Sequence, residues 1–133
     1  MIGLDAAVLV RYLTGDDRKQ SRRASAAISR AVKAGEPLHV SCLVLCELAW
    51  ILTGAYRVAK PRLVDALKRI LDTPQLDLED RDLVRHALAD FEAGDGDFAD
   101  YLLGRRNRAR SCRETVSFDA RLRRTPGFRL LRA

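Results

Sequence analysis

The chain has 133 residues, 47% hydrophobic and 32% charged, with only 4 Pro and 8 Gly, a composition that excludes a disordered segment and suffices for one buried core. A formal net charge of +6 and a sequence pI near 9.7 favour contact with a polyanion. No apolar run approaches the roughly 20 residues of a membrane span, and the opening MIGLDAAVLVRYL lacks a basic start and a small-residue cleavage site, so a cytoplasmic location is expected. Three cysteines, Cys42, Cys46 and Cys112, form no CxxC pair and have no histidine pattern nearby, which predicts packed thiols rather than a disulfide framework or a zinc site.

MIGL reads as a short buried strand, followed at once by Asp5 and a helical pattern with Val8, Leu9, Tyr12 and Leu13 inward. A second helix lies between Asp16 and Gly35, with Ala24, Ala27, Ile28, Ala31 and Val32 as its apolar stripe and Arg18, Lys19, Arg22, Arg23, Arg30 and Lys33 on its other face. Pro37 introduces a brief strand, PLHVS, whose Ser41 is placed to cap the helix CLVLCELAWILTGAY. Glu47 is the one charge in that helix, so the sequence predicts a buried carboxylate that is paired, protonated or reaching the rim. Residues 60–73 form an amphipathic helix stopped by Pro74, QLDLED supplies a strand, and residues 81–94 form a helix with Leu83, Val84, Ala87, Leu88 and Phe91 inward. His39 and His86 read as surface or boundary residues.

A further helix is expected from Asp97, with Phe98, Ala99, Leu102, Leu103 and Ala109 facing inward. A strand from Glu114 to Phe118 then ends on Asp119, and a helical turn, a Pro126-Gly127 turn and a last strand at 128–131 complete the chain. Short strands alternating with helices argue for a parallel sheet covered on both faces, in which ligands bind beyond the carboxyl ends of the strands. Asp5 and Asp119 each follow a strand, Glu47 lies in the helix after the second strand, and Asp97 and Asp100 open the helix leading to the strand before Asp119. Carboxylates that converge without enough counter-charge make a site for a hard cation. An N-cap role is the plainer reading of Asp5 and Asp97. Asp97 and Asp100, three apart on one turn, repel unless something cationic lies between them.

The set Asp5, Glu47, Asp100 and Asp119, in the contexts GLDAAVLVRYLTGDD, SCLVLCELAWIL, DFADYLL and TVSFDARL, resembles the PIN domain, and more closely the VapC-type ribonuclease toxins of bacterial toxin–antitoxin modules. The resemblance runs from Met1 to about Leu131 and implies a single domain over 1–133 with a three-layer α/β/α sandwich around a short parallel sheet. It also implies an endoribonuclease dependent on Mg²⁺ or Mn²⁺, a homodimer, and neutralisation by a small cognate antitoxin. Asp5 matches the family's first acid, Glu47 its helix acid, Asp100 the third and Asp119 the fourth, with Asp97 as an auxiliary acid. Two departures stand out: Ala6 and Ala7 occupy positions where the family often has Thr or Asn, and Ser117 replaces the usual Thr.

The resemblance implies metal-assisted hydrolysis of a phosphodiester with no protein nucleophile, Asp5, Asp100 and Asp119 holding metal directly or through water. Glu47 would hold a second metal or position the attacking water. Arg105, Arg108 and Ser117 are the expected RNA contacts, the arginines as a track leading away from the acids. The alternative is a nucleic-acid-binding module whose metal site is weakened. A receiver-like phosphotransfer domain fits less well, because Lys19, Lys33, Lys60 and Lys68 all lie in helical segments. The apolar surface of Cys42, Leu45, Trp50, Ile51, Leu63, Leu67 and Ile70 exceeds what one core needs, so part of it is expected at a dimer or antitoxin interface.

Overall fold

The computed structural model describes residues 1–132, which form two compact units, residues 1–79 and the chain from Asp80 onward. In the first unit the order is β1 (Ile2–Gly3), α1 (Ala6–Thr14), α2 (Arg18–Lys33), β2 (Leu38–Val40), α3 (Cys42–Gly54), α4 (Lys60–Leu71) and β3 (Leu76–Leu78). Two helices intervene between successive strands, which is the length of connection a parallel pairing requires. The three strands form one parallel sheet in the order β1-β2-β3, with Ile2 opposite Leu38 and Val40 opposite Leu78. His39 faces Asp77 across that ladder, Nδ1 to Oδ2 at 2.7 Å, a boundary position as its sequence context predicts.

Each helix start has a local cause. Asp5 caps α1 by accepting from Val8 N, Asp17 caps α2 through Gln20 N, and Ser41 caps α3 through Val44 N. Glu79 adds an acid at the start of α3, its Oε1 accepting from Cys42 N at 2.8 Å, a role no local pattern announces. Gly15 closes α1 at φ 63, in the left-handed region that a side chain resists. Beyond it, Asp16 accepts from Tyr56 Oη at 2.7 Å, Thr14 Oγ1 at 2.8 Å and Arg11 Nη1 at 3.0 Å. That clasp ties the end of α1 to the chain after α3. It holds the Asp16 carboxyl down to about 2, the Tyr56 hydrogen bond contributing most.

The core of this unit is Leu9, Val10, Leu38, Val40, Leu45, Leu48, Leu52, Leu63, Leu67 and Ile70, all buried. Several expectations shift. Tyr12 is 49% exposed and α1 buries Ala6, Leu9 and Val10 instead, because the strip facing the sheet is narrower than the hydrophobic positions available. Ala27 and Val32 of α2 are exposed, and Ile2 of β1 is 46% exposed, so the first strand is not a buried one. Leu45, Leu63, Leu67 and Ile70, expected in part at an interface, are core; Trp50 is 55% exposed.

The second unit comprises α5 (Arg81–Ala93), α6 (Phe98–Ala109), β4 (Thr115–Ser117), a 3₁₀ turn (Ala120–Leu122) and β5 (Phe128–Leu130). β4 and β5 pair in parallel, Thr115 opposite Phe128 and Ser117 opposite Leu130. Val84, Ala87, Leu88 and Phe91 of α5 pack with Phe98, Tyr101 and Leu102 of α6, Phe91 and Phe98 meeting edge to face with centroids 6.2 Å apart. Leu103 is 50% exposed and Ala109 is also exposed; Tyr101 takes the inward place instead. Close approach of α6 to β5 requires Gly104, where a Cβ would stand 2.6 Å from the Phe128 ring. Of the three thiols, Cys42 is buried, Cys46 half-buried and Cys112 exposed, and none is in a disulfide among the described residues.

Candidate functional site: a carboxylate cluster around Arg121

Helix α6 begins on a reciprocal capping box of Asp97 and Asp100, in which Asp100 Oδ2 accepts from Asp97 N at 3.0 Å. The loop before it is fixed by Gly96 N, which donates to the buried Tyr101 Oη at 2.9 Å. Asp119 arrives from another direction, at the end of β4, where Ser117 Oγ accepts from Asp119 N at 3.0 Å. The Ser117 hydroxyl thus shapes the turn that presents the acid. Asp119 then caps the 3₁₀ turn through Arg121 N.

That turn delivers a guanidinium between the acids. Arg121 Nη2 lies 2.6 Å from Asp119 Oδ2 and its Nε 3.0 Å from Oδ1; Nη1 reaches Asp97 Oδ1 at 3.2 Å, and Nη2 stands 3.9 Å from Asp100 Oδ2. The cation needed between Asp97 and Asp100 is supplied within the chain, by a residue whose sequence context places it only in a helical turn. Its one local signal is the spacing of two from Asp119.

The acids respond unequally. Burial pushes the Asp100 carboxyl above its ordinary range, with the charges of Asp97 and Asp119 acting in the same direction against the Asp97 hydrogen bond and Arg121. Asp119 is held below the usual range by its Arg121 hydrogen bonds, and the guanidinium is raised reciprocally, by Asp119 first and then Asp97. Three oxygen-only donors of this type suit a hard divalent cation such as Mg²⁺ or Mn²⁺. Arg121 now bridges them, and among the described residues no three acid, histidine or cysteine side chains are grouped so as to hold an ion. The donor chemistry fits such a metal; the present arrangement is a salt-bridged one.

Asp5 and Glu47 belong to the first unit. Asp5 is exposed, with Oδ1 used on Val8 N at 2.9 Å. Glu47 is exposed too, the rim alternative rather than a paired or protonated buried acid: it shares with Leu43 and Trp50, 66% and 55% exposed, the one face of α3 that leaves the core. Ala6, where the family pattern often carries a polar group, is 3% exposed and packs into that core.

The expected arginine track is divided. Arg105 turns onto α5 and grips Asp90 with two parallel bonds, Nε to Oδ2 at 2.7 Å and Nη2 to Oδ1 at 2.8 Å, the fork geometry of a strong pair. Arg108 is exposed and bends toward the loop before β5, donating to Pro126 O at 3.4 Å.

The PIN domain family pattern matches residues 2–127, a stretch that includes all five acids and extends through most of both compact units. A "VapC ribonuclease" from Aquifex aeolicus (strain VF5) is 25% identical over 126 residues, covering 95% of this chain and 92% of that protein. With parallel strands joined through helices and the family match spanning nearly the whole chain, the chain belongs to the PIN domain family and has its α/β fold.

Proposed function

We propose that the chain is a metal-dependent endoribonuclease toxin of the VapC type, cutting RNA phosphodiester bonds and neutralised by a small cognate antitoxin. The observation that carries this reading is the convergence of Asp97, Asp100 and Asp119 on a single guanidinium, with Asp100 raised by burial and by its neighbours. The family match across both units supports treating 1–133 as one PIN-like domain. It likewise supports Asp5, Glu47, Asp100 and Asp119, assisted by Asp97, as the acid set for Mg²⁺ or Mn²⁺.

When bound, the ion would lower the pKa of a coordinated water and stabilise charge on the phosphate. The chain's own part is to fix the carboxylates. The capping box sets the Asp97–Asp100 spacing, and the Ser117 Oγ turn aims Asp119. Arg121 keeps the three acids together until a cation replaces it. Arg108 binds the RNA backbone, whereas Arg105 contributes indirectly by anchoring α6 to Asp90. Homodimerisation is supported by the exposed Leu43 and Trp50 on one face of α3, and the proposed place of action is the cytoplasm; among the described residues no helix is long and apolar enough to cross a membrane.

A second reading, a nucleic-acid-binding module without significant cleavage, is favoured by Arg121 standing where a metal would. Cleavage of a mixed RNA pool with Mn²⁺, with EDTA, and by Asp100→Asn and Asp119→Asn separates the two. The nuclease reading expects loss of cutting in the last three conditions. RNA bound but uncut by the wild type at millimolar Mn²⁺ establishes the binding module, and cutting undiminished by EDTA overturns the metal.

A further inference from the structure

At the C-terminal half of α6 the second unit encloses a cavity of about 210 Å³. Gly104, Arg105 and Arg108 form one side of it, and residues 112–115 and 124–128 the other. Four arginines, Arg105, Arg108, Arg113 and Arg124, line it against two carboxylates, Asp90 and Glu114. Both carboxylates are already answered. Asp90 is held by Arg105 in two bonds, and Glu114 by Arg129 at 2.9 Å and Arg113 at 3.5 Å. Arg108 and Arg124 form no ion pair among the described residues, so the cavity keeps an uncompensated positive charge.

Arg108 is also held in position. Its Nη2 donates to Pro126 O, and its guanidinium occupies the space over Gly127, where a Cβ would come within 2.7 Å of Nη2. Gly127 has φ 87, so glycine there serves both the left-handed turn and the seating of the arginine. A fork already oriented loses little freedom on meeting an anion, and guanidinium geometry matches phosphate oxygens in pairs. Pro126 and Phe128 add an apolar wall beside the cations.

We propose that this cavity binds a backbone phosphate of RNA remote from the bond that is cut, Arg108 and Arg124 supplying the donors and Pro126 and Phe128 receiving the adjoining sugar or base. The inference rests on the proposed action on RNA and adds to it a defined anchor for the strand. RNA is favoured over an acidic protein segment because the pocket lies on the helix that opens with Asp97 and Asp100. Arg108 is about 12 Å along it from Asp100 at roughly 1.5 Å per residue, so one strand can reach both ends.

The test is anisotropy of a labelled single-stranded RNA in EDTA, titrated at several salt concentrations, comparing wild type, Arg108→Gln/Arg124→Gln, and a control pair of equal charge on α2, Arg22→Gln/Arg23→Gln. Melting temperatures establish that all three are folded. The cavity pair should bind roughly tenfold more weakly or worse, with a log–log salt slope shallower by about 0.7, the amount for one single-strand phosphate no longer neutralised; the control pair should change both less. An unchanged slope, or an equal change in the control pair, overturns the proposal. So does a Glu-rich peptide whose affinity falls more than that of RNA in the cavity variant, which assigns the pocket to an acidic protein segment. Inorganic phosphate shifting the Thr125 and Gly127 amides while RNA affinity ignores the variant assigns it to the free anion and likewise overturns the proposal. Parallel cleavage with Mn²⁺ separates the two readings: cutting with an unchanged slope sinks the cavity alone, and an arginine-dependent slope without cutting sinks the nuclease alone.

Discussion

Gly96→Ala probes how tightly the acid cluster is built. A Cβ at this position would stand 2.6 Å from Leu122 Cδ2, 3.2 Å from Tyr101 Oη and 3.4 Å from Asp100 Oδ2. Ordinary carbon contacts begin near 3.5 Å, so something must move by about 1 Å. Leu122 is 1% exposed and Tyr101 2%, which leaves neither side chain free space to retreat into. The displacement therefore passes to the backbone: the 3₁₀ turn that carries Arg121, or the loop that carries Asp97. Overpacking of this kind costs about 1–3 kcal/mol, roughly 3–15 °C in melting temperature for a chain of this size. Urea unfolding should show a lower midpoint at unchanged slope. Mn²⁺ binding, followed by calorimetry, should weaken along with it, because the same shift moves the carboxylates. Gly54→Ala is the control, since no atom lies within 4 Å of its Cβ, and it should be neutral or stabilising by up to about 1 kcal/mol. A Gly96→Ala midpoint equal to that of wild type would refute the packing argument, and a lowered midpoint with intact Mn²⁺ affinity would refute its link to the acids.

Arg121→Gln removes the cation that holds Asp119 down and opposes the rise of Asp100, so both carboxyls should titrate higher by carbon-detected NMR and Mn²⁺ should bind more tightly; unchanged titrations would show that the guanidinium does not govern the cluster. Asp16 has a folded pKa depressed to about 2, so it stabilises the fold above its unfolded value of about 4 and loses that contribution as pH falls toward 2. Asp16→Asn should lower the melting temperature at neutral pH and flatten its decline over that window, and parallel acid limbs would contradict the assignment. Leu45→Ala, at a fully buried position, should cost about 2–5 kcal/mol by urea unfolding, and a loss under 1 kcal/mol would mean that the core around α3 collapses to fill the gap.

Where the chain announces its structure, it does so through short-range chemistry. Asp5, Asp17 and Ser41 each begin a helix because their oxygens reach a backbone N–H three residues on, and such signals are readable in a window of four residues. The acids of α6 were legible for the same reason. Glu47 stays open between burial and the rim in the sequence because a helix that is apolar all round gives no periodicity to say which face meets the core, and Leu43, Glu47 and Trp50 share the exposed one. Arg121 and the Arg105–Asp90 pair were missed for a different reason. Asp97 lies 24 residues from Arg121 and Asp90 15 from Arg105, the nearby Asp119 alone does not announce a bridge, and a run with this many arginines offers no local criterion for which will find a distant carboxylate.

The unequal exposure of the three thiols gives this chain a built-in pair of chemical clocks. Cys112 is exposed and lies in the wall of the arginine-lined cavity, so a thiol reagent should modify it in the folded protein at a rate that an occupant of the cavity slows. Cys42 is 2% exposed at the start of α3, and reaction there must wait for the chain to open. The fast phase then reports occupancy and the slow phase reports unfolding, in a single experiment and without any engineered label.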